Sequence, residues 1–236
     1  MKMMLEISNL KTFYGNSQAL FGLDISIERG TVTTLLGRNG MGKTTTVNSI
    51  MGITPCREGS IHFLGEPIHH LSPYLIAQKG IGLVPEGRQI FPNLSVRENL
   101  IATAAHFSQG EKRWNLDTTL DFLPALTPKL DNMGNQLSGG EQQMLAIGRA
   151  LMLNPELLIL DEATEGLAPL IREQIWQKLD ELKRTGLTIL LIDKNLDALT
   201  RIADQHFIVE KGEKVWQGDS AQLRSTPSLK SQYLGI

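Results

Sequence analysis

The chain has 236 residues, 41% of them hydrophobic, and 23 basic against 25 acidic side chains give a formal charge of −2. That is enough apolar material for one large domain, or a domain with a subdomain, and it excludes a disordered chain. The near balance of charge excludes non-specific nucleic-acid binding as the main activity. The one cysteine, Cys56, excludes an intramolecular disulfide and a cysteine-based zinc site and fits a reducing compartment.

Met1–Glu6 does not read as a signal peptide, because Glu6 interrupts early and no apolar run follows. No stretch approaches the roughly 18 apolar residues of a bilayer span, so any membrane role is expected to come from docking onto other chains. Residues 5–36 read as strands. Leu5, Ile7 and Leu10 begin one, and Leu23, Ile25 and Ile27 alternate with Asp24 and Ser26, the period of a half-buried strand. Val32–Leu36 is a short buried strand, and Lys43–Met51 reads as a helix. Gly59–Leu64 and Ile81–Val84 read as further strands.

The texture changes near Pro92. Val96, Leu100 and Ala104 are spaced by four, and Leu120, Leu123 and Leu126 by three, which predicts a mainly helical stretch to Leu153. After Pro155, strand and helix alternate again: Leu157–Leu160 a strand, Leu170–Leu182 a helix, Thr188–Ile192 a strand. A terminal hairpin is expected from Phe207–Glu210 and Lys214–Gln217 around Lys211-Gly212. The alternation predicts an α/β core with a mostly parallel sheet, and a helical subdomain at about 93–153 inserted in that core.

Gly37-Arg38-Asn39-Gly40-Met41-Gly42-Lys43-Thr44 matches the phosphate loop pattern G-x-x-x-x-G-K-[ST]. Glycines let successive N–H groups turn toward phosphates, and the following helix adds its positive end. Lys43 supplies a point charge and Thr44 a hydroxyl for magnesium; Thr45 completes the expected nucleotide contacts. The strand Leu157–Leu160 ends in Asp161-Glu162, the Walker B pattern, at the sheet edge where such folds bind ligands. Asp161 is placed to reach magnesium, and Glu162 to polarise the attacking water as general base. The expected ligands are therefore ATP and Mg2+.

Leu137-Ser138-Gly139-Gly140-Glu141-Gln142-Gln143, lying between these two motifs, resembles the signature of ATP-binding-cassette (ABC) ATPases. The resemblance spans essentially the whole chain and implies a P-loop NTPase core with a mostly parallel sheet, an antiparallel β subdomain and a helical subdomain insertion. It implies two cassettes facing head to tail, with Ser138, Gly139 and Gly140 of one reaching the terminal phosphate held by the other. It implies that Tyr14 stacks on adenine and that Glu86 stands at a magnesium-touching position, where most members carry glutamine. Ala168 falls where many members carry aspartate. Lys194 falls at the switch position usually held by histidine, so that Lys194→His is expected to raise turnover in an assembled complex.

Within that family, Val84-Pro85-Glu86-Gly87-Arg88, Gly166-Leu167-Ala168-Pro169 and Tyr14–Leu20 resemble the LivF-type ATPases of high-affinity branched-chain amino acid importers. The implied partners are a second homologous ATPase (or a second copy of this chain), two membrane permeases and, indirectly, a periplasmic solute-binding protein, with no nucleic acid. The implied place is the cytoplasmic face of the inner membrane. Arg88, Phe91 and Pro92 are candidates to touch a permease helix. The alternatives are the sister group of urea or amide importer ATPases, and a non-catalytic nucleotide-binding regulator prompted by Ala168 and Lys194. A soluble cassette protein acting on ribosomes or DNA is disfavoured by the single cassette, and an exporter ATPase by the branch motifs. His62, His69, His70, His106 and His206 show no metal-ligand spacing. Trp114, Trp176, Trp216, Met144 and Met152 are expected to pack.

Overall fold

Alternating apolar and polar residues form two long antiparallel strands, β1 (Met3–Tyr14) and β2 (Ser17–Glu28). The chain then enters β3 (Val32–Leu36), passes the glycine loop into helix α1 (Lys43–Ile50), and returns as β4 (Cys56–Phe63) and the short β5 (Glu66–Pro67). These give a four-stranded antiparallel sheet in the order β2-β1-β4-β5. The computed structural model describes residues 2–105 and 113–235; His106 lies outside them.

The second sheet adds β6 (Ile81–Val84), β7 (Leu157–Asp161), β8 (Thr188–Ile192), β9 (Gln205–Glu210) and β10 (Glu213–Gly218), in the order β10-β9-β3-β8-β7-β6. All its neighbours run parallel except β10, which hairpins back on β9. Every residue of β3, β7 and β8 is buried, as befits a parallel sheet covered on both faces. Their side chains still alternate. Val32, Leu36, Leu158, Leu160 and Leu191 enter one apolar cluster, while Leu35, Leu157, Ile159, Leu190 and Ile192 enter the other. The first cluster lies under helices α5 (Gly139–Leu151), α6 (Pro169–Arg184) and α7 (Leu196–Ile202), and the second under α1 and the antiparallel sheet. A smaller third cluster joins Val96, Leu100, Leu123, Leu126 and Leu145.

Several predicted bounds shift, each for a local reason. Helix α2 (Pro73–Gln78) was not foreseen; it buries only Ile76, too little for a periodic signal. Helix α3 (Val96–Ala102) buries Val96 and Leu100 but ends before Ala104. Helix α4 (Leu116–Phe122) stops ahead of Pro124, so Leu123 is buried from its C-cap and Leu126 from the 3-10 turn Pro124–Lys129, and neither from a continuing helix. The fourth strand begins at Cys56, three residues early, because Thr12 pairs with Cys56. A short helix α8 (Ser220–Ser225), capped by Asp219, follows the hairpin. Trp114, Trp176, Met144 and Met152 are buried, and Trp216 packs on the core, as expected.

Parallel pairing has one consequence for function. The residues that follow β3, β6, β7 and β8 emerge along one sheet edge: Gly37, Pro85-Glu86, Glu162 and Asp193-Lys194.

Candidate active site

At that edge the chain turns sharply at Gly37, whose φ is 143°. A Cβ there would lie 2.3 Å from the Val209 carbonyl oxygen, so only glycine fits. Gly42, at φ 108°, is the N-cap of α1 and offers no side-chain cap, and the first turn carries no acidic residue. The leading amides of α1 are thus left for an anion, with the positive helix end behind them. Met41 ties the loop down: its carbonyl accepts from the Gly212 amide at 3.0 Å and its amide donates to Arg38 O at 3.3 Å. Lys43 is buried, and its Nζ donates to the carbonyls of Gly37 (2.8 Å) and Arg38 (2.9 Å). Burial pushes the Lys43 ammonium below its usual range, while the carboxylates of Glu162 and Asp161 oppose that. Asn39, Gly40 and Gly42–Thr45 share a cavity of about 310 Å3 with Glu86, Glu162, Glu165 and Lys194.

The acids sit across that cavity. Asp161 is buried at the end of β7, and burial raises its carboxyl, with the Thr44 hydroxyl opposing. Its Oδ1 is buried without a hydrogen-bond partner. A buried, unpartnered carboxylate oxygen beside a hydroxyl is an unfinished hard-oxygen set, which fits a divalent cation. Glu162 has φ 53°, a left-handed backbone rare outside glycine, and its amide donates to Ile192 O at 2.8 Å. Burial above all pushes its carboxyl up to about 7, followed by the hydrogen bond and charge of Glu165; Lys194 opposes. Glu86, Glu162 and Glu165 offer oxygens within 4.8 Å of one another.

Lys194 Nζ lies 2.5 Å from Glu165 Oε1 and 3.6 Å from Glu162 Oε2. Glu165 was not singled out as a site residue from the sequence; the pairing of β7 with β8 brings it here. Asp193 was missed as well. Its Oδ2 accepts from the Thr164 amide (3.1 Å) and hydroxyl (2.6 Å), which locks the segments after β7 and β8 together. Leu234 and Gly235 line a neighbouring cavity of about 260 Å3 with Gly37, Arg38 and Lys43, a closeness no motif announces.

The remaining predicted residues fall in two places. Tyr14 ends β1 with its ring half exposed, and its hydroxyl is 3.4 Å from Thr45 Oγ1, beside the loop. Ser138 caps α5: its amide donates to Glu141 Oε2 at 2.8 Å, and its Oγ accepts from the Glu141 amide at 3.4 Å. Ser138, Gly139 and Gly140 do not line the cavities around the phosphate loop. Arg88, expected at a partner surface, turns back toward α5 and donates to Gln142 Oε1 at 3.3 Å. Phe91 is exposed, with the Arg149 guanidinium 4.2 Å from its ring centroid.

Residues 20–165 match the profile of the family described as ABC transporter. The chain belongs to that family. It is 38% identical over 232 residues to the high-affinity branched-chain amino acid transport ATP-binding protein BraG of Pseudomonas aeruginosa, covering 98% of this chain and all of that one. It is 32% identical over 237 residues to the probable branched-chain amino acid transport ATP-binding protein LivF of Archaeoglobus fulgidus, covering 99% of each. Nod factor export ATP-binding protein I of Cupriavidus metallidurans is 33% identical over 225 residues, covering 94% of this chain but 73% of that protein. Among solved structures, a nucleotide-free ATP-binding cassette from an ABC transporter superposes with a TM-score of 0.84 at 29% identity, covering 96% of this chain and 95% of that one. A cassette in its ADP conformation gives 0.81 at 27% identity, covering 98% of each. This ABC cassette is an ATPase with a P-loop α/β fold, and no helix among its described residues is long and apolar enough to cross a membrane.

Proposed function

We propose that this chain powers an importer for branched-chain amino acids by hydrolysing ATP at a site shared between two cassettes. The observation that carries the substrate class is the end-to-end match to BraG and LivF, both named for branched-chain amino acid transport. The Nod factor export relative is matched over only 73% of its length, so the end-to-end relatives carry the reading.

In this reading the amides of Gly37–Thr45 and the Lys43 ammonium take the phosphates, and the exposed Tyr14 ring takes the adenine. Thr44, Asp161 and Glu86 would hold magnesium, which when bound neutralises charge on the phosphate oxygens. Glu162 accepts the proton of the attacking water; a carboxyl near 7 is well matched to that task at neutral pH. Ser138, Gly139 and Gly140 stand apart from their own loop's cavities, which supports their acting on the nucleotide of a second cassette, homologous or identical. The described residues between 93 and 153 supply the inserted helical subdomain, and with Phe91 and Pro92 they face one of two membrane permeases. The chain then docks at the cytoplasmic face of the membrane, with a periplasmic solute-binding protein upstream.

The deciding experiment is uptake of radiolabelled leucine and urea into cells lacking only this chain, complemented with the native gene or a Glu162→Gln copy. Loss of leucine uptake, restored by the native copy alone, is expected. Loss of urea uptake alone moves the substrate to the sister group, and rescue by Glu162→Gln defeats the base assignment.

A further inference from the structure

Lys43 and Lys194 present ammonium groups to one cavity, but they are held very differently. Lys43 is buried and fixed by two backbone carbonyls at 2.8 and 2.9 Å. The Lys194 side chain is 53% exposed, and its contacts are carboxylates: Glu165 Oε1 at 2.5 Å and Glu162 Oε2 at 3.6 Å. Glu165 is itself 48% exposed, so this ion pair is a solvent-facing one that opens easily. Glu162 is 11% exposed on a constrained backbone and offers no comparable freedom.

The backbone on both sides of the pair is anchored. Asp193 bridges to Thr164, and its Oδ1 accepts from the Asn195 amide at 2.9 Å. Asn195 in turn caps α7, accepting from the Ala198 amide at 3.2 Å. Lys194 therefore has a fixed stem and a long, exposed arm on the rim of the phosphate cavity. An anion entering there competes with Glu165 for that arm. A triphosphate carries one more phosphoryl group and more negative charge than a diphosphate, and competes better.

We propose that Glu165 is a specificity-determining positioning residue that holds Lys194 until a nucleoside triphosphate displaces it, so that the exchange of partners at Lys194 separates ATP from ADP. This rests on the nucleotide reading of the cavity. Glu165 also bears on Glu162 through a hydrogen bond and its charge, but its effect on the choice of nucleotide runs through Lys194.

The test is calorimetric titration of the full chain with the non-hydrolysable triphosphate AMP-PNP and with ADP, both with magnesium. Glu165→Gln is expected to tighten AMP-PNP by about two- to fivefold, the size of an exposed ion pair, and to leave ADP within about twofold. Glu165→Asp keeps the pair and is expected to stay near the native ratio. In a Lys194→Gln background, Glu165→Gln is expected to change the AMP-PNP to ADP ratio no further. An unchanged ratio in Glu165→Gln, equal tightening of both nucleotides, or a ratio shift that persists without Lys194 overturns the proposal. Absence of AMP-PNP binding by the native chain overturns the nucleotide reading itself, and this inference with it.

Discussion

The ammonium of Lys43 is hydrogen-bonded at 2.8 Å to the carbonyl of Gly37, so the loop's one lysine is carried by the loop's first glycine. The charge is placed by backbone and not by an acidic partner, and it remains available to phosphates. Lys43→Ala is expected to weaken nucleotide binding by about 1.5–3 kcal/mol, the range for a hydrogen bond to a charged group. The melting temperature should move little, because the two freed carbonyls line a cavity open to water. Calorimetric titration with ADP beside a thermal melt checks both halves; a large drop in melting temperature with unchanged affinity would make Lys43 structural.

Glu162 carries the clearest pH signature. Its carboxyl is pushed up to about 7, chiefly by burial. A general base works only when ionised, so kcat/KM, which reports the free enzyme, is expected to climb as pH rises through about 7 and level off above it. Glu162→Gln should keep nucleotide binding and lose turnover by about 100-fold or more. A flat kcat/KM between pH 6 and 8, or full activity in the variant, counts against Glu162.

What the sequence revealed follows from how local each signal is. Ile81–Val84 and Thr188–Ile192 were bounded as found, because a buried parallel strand is a contiguous apolar run between breakers. The phosphate loop and Asp161-Glu162 were legible for the same reason, since each is a few adjacent residues beside a strand. Glu165 and Lys194 are 29 positions apart and meet only through the β7–β8 register. Lys194 was legible from its place at the switch position, but its meeting with Glu165, like the approach of Gly235 to Arg38, has no local signature. The α4 periodicity misled because spacing by three suits a 3-10 turn as well as a helix, and Pro124 decided between them.

The start of α5 separates a structural role from a functional one. A Cβ on Gly140 would stand 2.5 Å from Ile171 Cγ2, so Gly140→Ala must turn the Ile171 side chain out of place or push α5 away from α6. A loss of about 1–3 kcal/mol is expected, partly offset by alanine's better helix propensity. Ser138→Ala removes a cap whose bond is already long at 3.4 Å, and should cost about 0.5 kcal/mol. If Ser138 serves a partner's nucleotide, this mild variant should still lose ATP-driven dimerisation, read by light scattering. Normal dimerisation in Ser138→Ala would confine the residue to capping.

Stability should report on His206, which is fully buried between β3 and α8. Ser220 Oγ donates to the Ala203 carbonyl at 2.9 Å, so it must accept from His206 Nε2 at 2.8 Å. That places the ring proton on Nε2 and leaves Nδ1 to accept from the Thr34 hydroxyl at 2.6 Å. Protonating Nδ1 would force the Thr34 bond to reverse and place a charge inside the core, and burial pushes the imidazole down to about 4. The unfolded chain, at the ordinary value of 6.5, then binds more protons than the folded one across that interval. This contribution is present above about 6.5 and is lost as pH falls toward 4, amounting to about 2 kcal/mol between pH 7 and pH 5. Urea denaturation of the native chain at those two pH values should show that loss. His206→Gln, less stable at pH 7 but without a titrating ring, should lose about 2 kcal/mol less between them. An equal pH dependence in both proteins would assign the acid sensitivity to other groups.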